Sequence, residues 1–443
     1  MTKSDVLIIG AGPGGYNTAV EALGEGLTVT LVERGELGGT CLNRGCIPTK
    51  CFCRSADAAL TLADAAQLGV APEPVTPSVS MERVVARKDE VVAQLREGIA
   101  MLLKGVNIVP GEARFVDEST VEVNGETYTA PKVIVATGSR PATLDIPGAE
   151  YAITSDRLLS WTDFTPESLI IIGGGVIGIE FASIFAAFGT KVTVIEYCKE
   201  ILPSFDSEIA KRLRMSLKRR GIDIVTGARV TAIDTPEWTV TYECKGKTQS
   251  VSAAAVVMAV GRRPVVPDGL DKIVKEWHRG AVVVDDSMKV PGTEGLYAVG
   301  DVNGRCMLAH AAEAQGLVAL GRTDVNLGVI PSAVFSVPEC SMVGMTEEQC
   351  RESGLNFKAG KAFMRANGKA LAMNEPDGLV KILIDADSRL ILGCHVVGAH
   401  AADIIQEVVT VMSASLTIDA VTASIHAHPT LSEAVLAAAK AIP

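Results

Sequence analysis

Aromatic residues and positive charge are scarce in this sequence. Phe, Trp and Tyr make up 4% of the 443 residues, and 41 Lys and Arg are outnumbered by 52 Asp and Glu. The resulting net charge of −11 argues against a nucleic-acid-binding protein and against one that docks on an anionic membrane surface. Its 48% of hydrophobic residues and 42 glycines are instead typical of layered α/β domains.

The sequence also lacks the cysteine spacing of a metal site. Cys51 and Cys53 form a C-x-C pair with no second pair, and the cysteines after them are scattered. We therefore predict no metal centre, and we interpret the scattered cysteines as small buried hydrophobic residues. Ten cysteines in a chain of this length do not make a secreted disulfide framework. With no cleavage site after the apolar residues 6–9, we expect a reducing, cytoplasmic location.

No uninterrupted membrane-spanning run is predicted. The apolar stretch 169–189 is long enough to cross a bilayer, but three consecutive glycines at 173–175 and the charge of Glu180 interrupt it. A buried strand that runs into a buried helix explains this stretch better.

What the sequence does contain is two copies of a dinucleotide-binding pattern. In the first copy, an apolar strand at 5–9 precedes a glycine turn, a helix and a second strand that ends in Glu33. The first glycine of such a turn allows a tight bend, the second lets the backbone approach a pyrophosphate, and the third lets helix pack on strand. These glycines are Gly10, Gly12 and Gly15, and Glu33 is placed to hold a ribose hydroxyl.

The second copy has the same layout more than a hundred residues later. Its glycines are Gly173, Gly175 and Gly178, and its second strand ends in Glu196. The first glycine and the acid are 23 positions apart in both copies (33 − 10 and 196 − 173). Two domains of one design predict a flavin-plus-nicotinamide protein rather than a single-cofactor dehydrogenase.

Two cysteines follow the first copy, in the run GGTCLNRGCIPTK at 38–50. Five residues of regular helix cover roughly 7.5 Å along the axis, whereas a disulfide needs Cα atoms about 4.4–6.8 Å apart. A bond between Cys41 and Cys46 therefore requires an irregular turn, which the glycines of this run permit. Because a helix N-terminus favours the reactive thiolate, we predict a redox-active pair; two buried free thiols are the alternative.

This run resembles the redox motif of the class I pyridine nucleotide–disulfide oxidoreductases, since the neighbours of both cysteines match as well. The dihydrolipoyl dehydrogenase branch of that family has the most similar pattern. The resemblance covers essentially the whole chain and implies an α/β fold with two Rossmann-like dinucleotide-binding domains (FAD and NAD) and a C-terminal α+β dimerisation domain. The implied divisions are an FAD-binding domain at 1–142, an NAD-binding domain at 143–262, a central second FAD-binding segment at 263–330 and an interface domain at 331–443.

The position of the cysteines indicates which of the two sites binds which cofactor. The pair follows Glu33 closely, and a disulfide exchanges electrons with a flavin, whereas a nicotinamide exchanges hydride with it. We therefore expect FAD at the first site and the pyridine nucleotide at the second. Glu196 would repel a 2′-phosphate, which favours NAD over NADP. The basic run 211–220 is interpreted as a solvated helix face rather than a phosphate site.

The resemblance assigns further contacts to the cofactors. Lys50 is implied to lie beside the flavin N5 region, paired with Glu180 on the helix of the second glycine turn. A helix that opens near residue 309 would point its positive end at the flavin pyrimidine and stabilise negative charge there. The other implied contacts are Ala113, Thr137, Gly138, Ser139, Asp301, Leu308 and Ala309 for FAD, and Val230 and Gly261 for NAD.

A histidine pair near the end of the sequence completes the predicted site. A dithiol must lose a proton before it attacks a disulfide, and a histidine oriented by a carboxylate suits that task. The segment HAHPTLSE at 426–433 resembles the family's His–Glu dyad. The resemblance implies His428 as the base and Glu433 as its partner, with His426 as the less favoured alternative. It also implies a homodimer in which the second subunit contributes this dyad.

The implied activity is oxidation of protein-bound dihydrolipoamide to lipoamide by NAD⁺, through the cysteine pair and FAD. Cys41 would be the interchange cysteine, and Cys46 the thiolate beside the flavin. The implied partner is a lipoyl-bearing domain of a 2-oxoacid dehydrogenase complex or of the glycine cleavage system. Arg44 departs from the family pattern, and its charge is expected to shift the potential or the substrate preference of the pair.

Several other activities remain as alternatives. A glutathione-reductase-like enzyme would be expected to carry basic residues in place of Glu196. A mercuric-reductase-like enzyme would be expected to end in a vicinal cysteine pair, which this sequence lacks. A flavin NADH oxidase or peroxidase would not need two cysteines. The non-catalytic alternative is a flavoprotein that serves only as a component of a lipoyl complex.

Overall fold

The structure is a computed structural model that describes residues 1–163 and 165–443. Its first sheet is wholly parallel, with the strand order Leu296–Ala298, Lys132–Val135, Val6–Ile9, Val29–Glu33 and Asn107–Pro110. Every residue of the central strand is buried, as expected of a parallel sheet that is covered on both faces. The edge strand Leu296–Ala298 returns to this sheet after the second sheet is complete, so residues before and after the second sheet share one layer.

Two helices beside the first sheet pack unusually closely. They are Pro13–Gly24 and Ala309–Leu320. A Cβ at Gly316 would lie 1.9 Å from the Thr18 hydroxyl oxygen, so a glycine is required where these helices meet. A small mixed sheet completes this part of the chain, in the order Thr2–Lys3, Glu126–Thr129, Thr120–Val123 and Arg114–Asp117.

The second large sheet repeats the parallel design of the first. Its strand order is Ile153–Thr154, Ala255–Met258, Ser168–Ile172, Lys191–Glu196 and Asp223–Thr226. An antiparallel sheet of Ala228–Asp234, Thr239–Cys244 and Lys247–Ser252 follows it. The apolar stretch 169–189 is a buried strand followed by the buried helix Val176–Ala187, as predicted. Among the residues that the structure describes, no helix is long and apolar enough to cross a membrane.

The third sheet is antiparallel. Its strand order is Ser332–Val334, Glu339–Gly344, Ile391–Gly398, Leu379–Asp385 and Phe357–Phe363. The helices Ala401–Ser413 and Glu433–Lys440 pack on this sheet. The shorter helices of this region are Glu347–Glu352, Gly368–Ala372 and Asp419–Ala423.

A hydrophobic core shared by the second and third large sheets fixes the helix that carries the second redox cysteine. Phe52 of this helix is fully buried and packs in one cluster with Phe181 beside the second sheet and Leu379 of the third. The remaining helices are Gly39–Arg44, Cys46–Ala63, Met81–Leu102, Ser155–Leu158 and Ser207–Arg219. Two two-stranded pairs join Ser139–Pro141 to Arg262–Pro264 and Trp277–His278 to Ala281–Val282, and short 3-10 turns span Ala149–Tyr151, Leu270–Lys272, Gly300–Asn303 and Met364–Ala366.

A buried ion pair joins the second and third large sheets. Lys381 Nζ lies 2.8 Å from Asp206 Oδ2 and 2.5 Å from Glu347 Oε2, and both Lys381 and Asp206 are fully buried. Asp206 also caps the helix Ser207–Arg219 by accepting a hydrogen bond from the backbone of Glu208. Burial would raise the pKa of Asp206, but the hydrogen bonds and charge of Lys381 bring that pKa below its ordinary value.

Candidate active site

The two predicted redox cysteines lie on two consecutive helices that are separated by a sharp bend of the chain. Cys41 lies in the helix Gly39–Arg44, Cys46 begins the helix Cys46–Ala63, and Gly45 between them has φ −139° and ψ −112°. A Cβ at Gly45 would lie 2.9 Å from the Thr40 carbonyl oxygen, so only glycine fits at this bend. The irregular turn that a Cys41–Cys46 bond requires is therefore present. Both cysteines are free thiols in this structure.

The thiols of Cys41 and Cys46 have pKa values shifted in opposite directions. A hydrogen bond from the Cys41 thiol and, to a smaller extent, the charge of Lys50 lower the pKa of Cys46 to about 7 against the opposing effect of burial. The same hydrogen bond, together with burial, raises the pKa of Cys41. Cys46 is also the first residue of its helix, where the dipole favours negative charge. Cys46 is therefore the cysteine of the pair that ionises more readily, and as a thiolate it accepts a hydrogen bond from the Cys41 thiol.

The cysteine-bearing segment lies directly against the first glycine turn. The backbone N–H of Gly38 donates to the Ala11 carbonyl oxygen at 2.9 Å. A Cβ at Gly39, which has φ +59°, would lie 2.6 Å from Gly12 Cα. A ligand bound along this turn is consequently held next to the segment that leads into Cys41.

The first glycine turn has the close contacts that its sequence predicts. Gly10 has φ +106°, and a Cβ there would lie 2.5 Å from the Ala136 carbonyl oxygen, while one at Gly15 would lie 1.8 Å from the Gly10 carbonyl oxygen. Glu33 closes the turn, because its Oε2 accepts the Ala11 N–H at 2.6 Å. The unused lone pairs of this carboxylate are available to a ribose hydroxyl.

The second glycine turn is built in the same way. Gly173 has φ +109°, and a Cβ at Gly178 would lie 2.0 Å from the Gly173 carbonyl oxygen. Glu196 is buried and accepts hydrogen bonds from the backbone N–H groups of Gly174 and Cys198. Each acid thus binds the residue 22 positions before it, at Ala11 from Glu33 and at Gly174 from Glu196. The two sites are structural repeats of each other.

Both turns fit the pyrophosphate of a dinucleotide. Gly12 is the N-cap of Pro13–Gly24 and Gly175 is the N-cap of Val176–Ala187, and no side chain of the described residues caps either helix. The backbone N–H groups of each first turn are therefore available to an anion, and the helix dipole favours it. At Gly175 a Cβ would enter open space, which leaves room for a ligand beside that turn.

Lys50 links the cysteine pair to the second glycine turn. Its Nζ lies 3.0 Å from both carboxylate oxygens of Glu180, whose side chain is 6% exposed. Glu180 Oε1 also accepts the Phe335 N–H at 2.9 Å, and Lys50 Nζ lies 4.2 Å from the centre of the Phe335 ring. The position of this ammonium group is thus fixed by contacts from two other parts of the chain.

A polar cluster joins the predicted flavin residues Ser139 and Asp301. The Ser139 hydroxyl donates to Asp301, and Arg262 Nε donates to the Ser139 hydroxyl oxygen at 2.7 Å. Thr137 Oγ1 donates to the Val265 carbonyl oxygen at 2.6 Å. The turn at 137–139 is therefore tied both to the residue expected at the ribityl chain and to the strand that follows the second sheet.

The other predicted cofactor residues are placed on turns or element ends. Leu308 is the N-cap of Ala309–Leu320, so the end of that helix is formed by Leu308 and Ala309. Val230 is buried beside a bulge in the strand Ala228–Asp234. Of the two remaining residues, Ala113 is buried, and Gly261 has φ +102°.

The predicted dyad near the end of the chain is formed within one subunit. His428 Nδ1 lies 2.9 Å from Glu433 Oε1 and 3.2 Å from Oε2, and Glu433 Oε2 accepts the Thr430 N–H at 2.9 Å. The Thr430 and His428 hydrogen bonds lower the pKa of Glu433, so this carboxylate stays ionised. Nδ1 of His428 therefore carries the proton, and Nε2 is left as the acceptor.

The His428–Glu433 dyad lies beside the third sheet. Glu433 begins the helix Glu433–Lys440, which packs on Phe357–Phe363 and Leu379–Asp385. None of the hydrogen bonds of His428 and Glu433 among the residues described reaches the cysteine-bearing helices. The His428 side chain is 78% exposed, so it is open to a partner or a substrate.

The structure adds contacts that the sequence did not indicate. Arg44 Nε lies 4.0 Å from Asp156 Oδ2, and the expected effect of Arg44 on the potential or substrate preference of the cysteine pair stays a prediction. Phe335, Arg262 and Glu407 were missed as contacts of Lys50, Ser139 and His426 respectively. Only Arg262 had a sequence signal, because it directly follows the predicted Gly261.

Comparison with known families identifies the class of protein. Residues 4–316 match the family described as "Pyridine nucleotide-disulphide oxidoreductase", and residues 330–439 match its dimerisation domain. The chain therefore belongs to the pyridine nucleotide-disulphide oxidoreductase family. Membership implies an FAD-dependent oxidoreductase that binds NAD or NADP and forms a homodimer.

Similar proteins extend over the full length of the chain. A dihydrolipoyl dehydrogenase of Geobacillus stearothermophilus is 39% identical, covering 99% of this chain and 96% of its own. A dihydrolipoyl dehydrogenase of Bacillus subtilis (strain 168) is 40% identical, covering 99% and 98%. Among solved structures, the HOCl-induced flavoprotein disulfide reductase RclA from Escherichia coli has a TM-score of 0.86 at 30% identity, covering 98% of this chain and 99% of that one.

Proposed function

We propose that this chain is a dihydrolipoyl dehydrogenase, which oxidises protein-bound dihydrolipoamide to lipoamide with NAD⁺. The observation that carries the proposal is the arrangement of the cysteine pair. Cys46 is the stabilised thiolate, Cys41 is its proton-bearing partner, and both follow directly from the first glycine turn. The full-length similarity to dihydrolipoyl dehydrogenases supports the choice of substrate.

The proposed first step is removal of a proton from the dithiol. His428 presents Nε2 as the acceptor because Glu433 binds the proton on Nδ1. The thiolate formed is the nucleophile in thiol–disulfide exchange. In the homodimer, the dyad of one subunit would serve the cysteine pair of the other, which is consistent with the exposed His428 side chain.

The proposed second step is exchange at the cysteine pair. The substrate thiolate attacks Cys41 in the oxidised pair, the Cys41–Cys46 bond breaks, and Cys46 leaves as a thiolate. The second substrate thiol, after losing its proton, attacks the substrate sulfur of the mixed disulfide, which releases lipoamide and leaves the reduced pair. Cys46 suits the leaving role because Cys41 and Lys50 lower its pKa.

The chain's residues fit FAD at the first glycine turn and NAD at the second. When bound, FAD supplies the two-electron carrier between the reduced cysteines and NAD⁺. Lys50 would hold a positive charge near the flavin, and Glu180 orients that lysine. Glu196 presents a buried carboxylate at the second site, where it would repel the 2′-phosphate of NADP.

The remaining expectations are part of the same proposal. The partner would be a lipoyl-bearing domain of a 2-oxoacid dehydrogenase complex or of the glycine cleavage system, and the location cytoplasmic. A non-catalytic role is disfavoured because the cysteine pair and the His–Glu dyad both have geometry suited to chemistry.

A panel of substrates tests this proposal. The purified holoenzyme would be assayed with lipoamide, glutathione disulfide and Hg²⁺, each with NADH and with NADPH. We expect the highest kcat/KM with lipoamide and NADH. Preference for glutathione disulfide or Hg²⁺ would assign the chain to another reductase of the family, and inactivity with all three would favour the non-catalytic role.

A further inference from the structure

A second His–Glu pair lies two positions before the proposed base. His426 Nε2 lies 2.8 Å from Glu407 Oε1, and its Nδ1 lies 3.1 Å from the Ser424 carbonyl oxygen. The His426 side chain is 7% exposed, in contrast to the 78% of His428. The two histidines of this segment are therefore in opposite environments, one enclosed and one open.

The neighbours of His426 occupy both nitrogens of its ring. Nε2 faces a carboxylate oxygen of Glu407, and Nδ1 faces the backbone carbonyl oxygen of Ser424. Because both nitrogens are engaged within the chain and the side chain is enclosed, His426 is placed to hold the segment rather than to meet a substrate.

The segment that carries His428 is held on both sides. After His428, the Thr430 N–H donates to Glu433 at 2.9 Å, and Asn367 Nδ2 donates to the Thr430 carbonyl oxygen at 3.0 Å. Before His428, His426 provides the contact to Glu407 in the middle of Ala401–Ser413. That helix packs on the third sheet, so it offers a rigid support.

We infer that the contact between His426 and Glu407 is a positioning device that holds the segment 424–430 against Ala401–Ser413 and so fixes where His428 presents Nε2. The inference rests on the proposed function, because it assigns His426 a purpose in deprotonating the dithiol. The expected change in rate is therefore confined to the half-reaction in which the dithiol reduces the enzyme. Proton transfer depends steeply on alignment, whereas reduction of the enzyme by NADH does not involve His428.

Rates of the two half-reactions test the inference. Oxidised holoenzyme would be mixed in a stopped-flow instrument either with a dithiol or with NADH, and flavin absorbance would be followed. We expect His426→Ala to slow reduction by dihydrolipoamide by about tenfold to a hundredfold, with a far smaller effect on reduction by NADH. Glu407→Ala is expected to behave in the same way.

Conservative variants and a neighbouring control separate positioning from general damage. Glu407→Gln keeps an oxygen acceptor and is expected to retain more of the dithiol rate than Glu407→Ala. Gln406→Ala, an exposed neighbour on the same helix, is expected to match the wild type. The dimer mass and melting temperature of each variant would be measured alongside.

Two results would overturn the inference. One is an unchanged dithiol rate in His426→Ala, and the other is an equal loss in both half-reactions with a dissociated dimer, which would indicate a structural role only. Dithiothreitol serves as a second dithiol in every experiment. If the wild type reacts with dithiothreitol but not with dihydrolipoamide, the proposed function fails, while the dithiothreitol rates of the variants still decide the role of His426.

Discussion

Lys50 and Glu180 are 130 positions apart in the sequence, yet Lys50 Nζ lies 3.0 Å from both carboxylate oxygens of Glu180. Lys50 is one helical turn after Cys46, so the ion pair fixes a positive charge close to the stabilised thiolate. The same ion pair connects the helix of the second glycine turn to the cysteine-bearing helix. The electrostatics of the cysteine pair therefore depend on how the two dinucleotide sites pack together.

Removing the charge of Lys50 is expected to raise the pKa of Cys46. The hydrogen bond from Cys41 and the positive charge of Lys50 both favour the thiolate, and together they lower the pKa of Cys46 to about 7. Alkylation of the reduced protein by iodoacetamide, followed over a range of pH, measures this value, since only the thiolate reacts. Lys50→Met should move the alkylation profile to higher pH, whereas Lys50→Arg should leave it nearly in place. Coincident profiles for Lys50→Met and the wild type would show that the lysine has no such effect.

Cysteine reactivity near the pair is expected to be strongly selective. Burial raises the pKa of Cys53 to about 12, although it lies only seven positions after Cys46. Brief alkylation of the reduced holoenzyme at neutral pH should therefore modify Cys46 and leave Cys53 untouched, which peptide mass spectrometry can measure. Cys46→Ser should remain yellow but lose turnover with lipoamide, whereas Cys53→Ser should retain it. Faster labelling of Cys53 than of Cys46 would contradict the assignment.

The bend at Gly45 is expected to tolerate no side chain. Gly45→Ala would place a Cβ 2.9 Å from the Thr40 carbonyl oxygen and 3.4 Å from Cys41 Cα. We expect a loss of about 1–3 kcal/mol in the free energy of unfolding, together with slower exchange at the cysteine pair. Urea denaturation and lipoamide turnover measure the two effects.

Gly98→Ala is the matched control for this change. Gly98 lies inside the helix Met81–Leu102, and a Cβ there meets nothing within 4 Å among the described residues. Alanine should stabilise this helix by about 0.5–1 kcal/mol and leave turnover unchanged. Equal effects of the two substitutions would show that the bend is not sterically constrained.

The buried pair of Lys381 and Asp206 is expected to make stability depend on pH. The pKa of Asp206 is lowered in the folded state, so its contribution is present at neutral pH and is lost as the pH falls through that lowered value. Lys381→Met leaves a buried carboxylate without its cation, which should cost about 3–5 kcal/mol at neutral pH. The difference from the wild type should shrink towards acid pH, where Asp206 is protonated in both proteins.

The neighbouring Lys361 provides the comparison for Lys381. Its Nζ lies 2.7 Å from Glu208 Oε2, but its side chain is 37% exposed. Lys361→Met should therefore cost no more than about 1 kcal/mol. Denaturation curves of both variants across the acid range measure the effect, and a loss for Lys381→Met that does not vary with pH would contradict it.

Much of the fold was predictable because local patterns specify it. The two glycine turns and their acids are contiguous motifs, and the equal spacing of 23 positions already indicates that Glu33 and Glu196 close equivalent sites. The irregular turn at Gly45 followed from the geometry of a disulfide. The Lys50–Glu180 and His428–Glu433 contacts followed from the family resemblance, and the hydrogen bonds now supply their distances.

Other features depend on packing between distant parts of the chain. Asp206 and Lys381 are 175 positions apart, and nothing in either local sequence indicates that they meet. The contact of His426 with Glu407 joins a loop to a helix 19 positions earlier, and no pattern in the sequence marks it. The direction of the Arg44 side chain towards Asp156 likewise depends on how the second sheet lies against the cysteine-bearing helices.

The most direct measurement is the initial rate at which the holoenzyme reduces NAD⁺ with dihydrolipoamide as the sole electron donor. We predict one NADH formed for each dithiol oxidised, and no turnover in Cys46→Ser or Cys41→Ser. Dithiol-dependent NADH formation that persists in both cysteine variants, or its absence from the wild type, would contradict the relay from dithiol through the cysteine pair to NAD⁺.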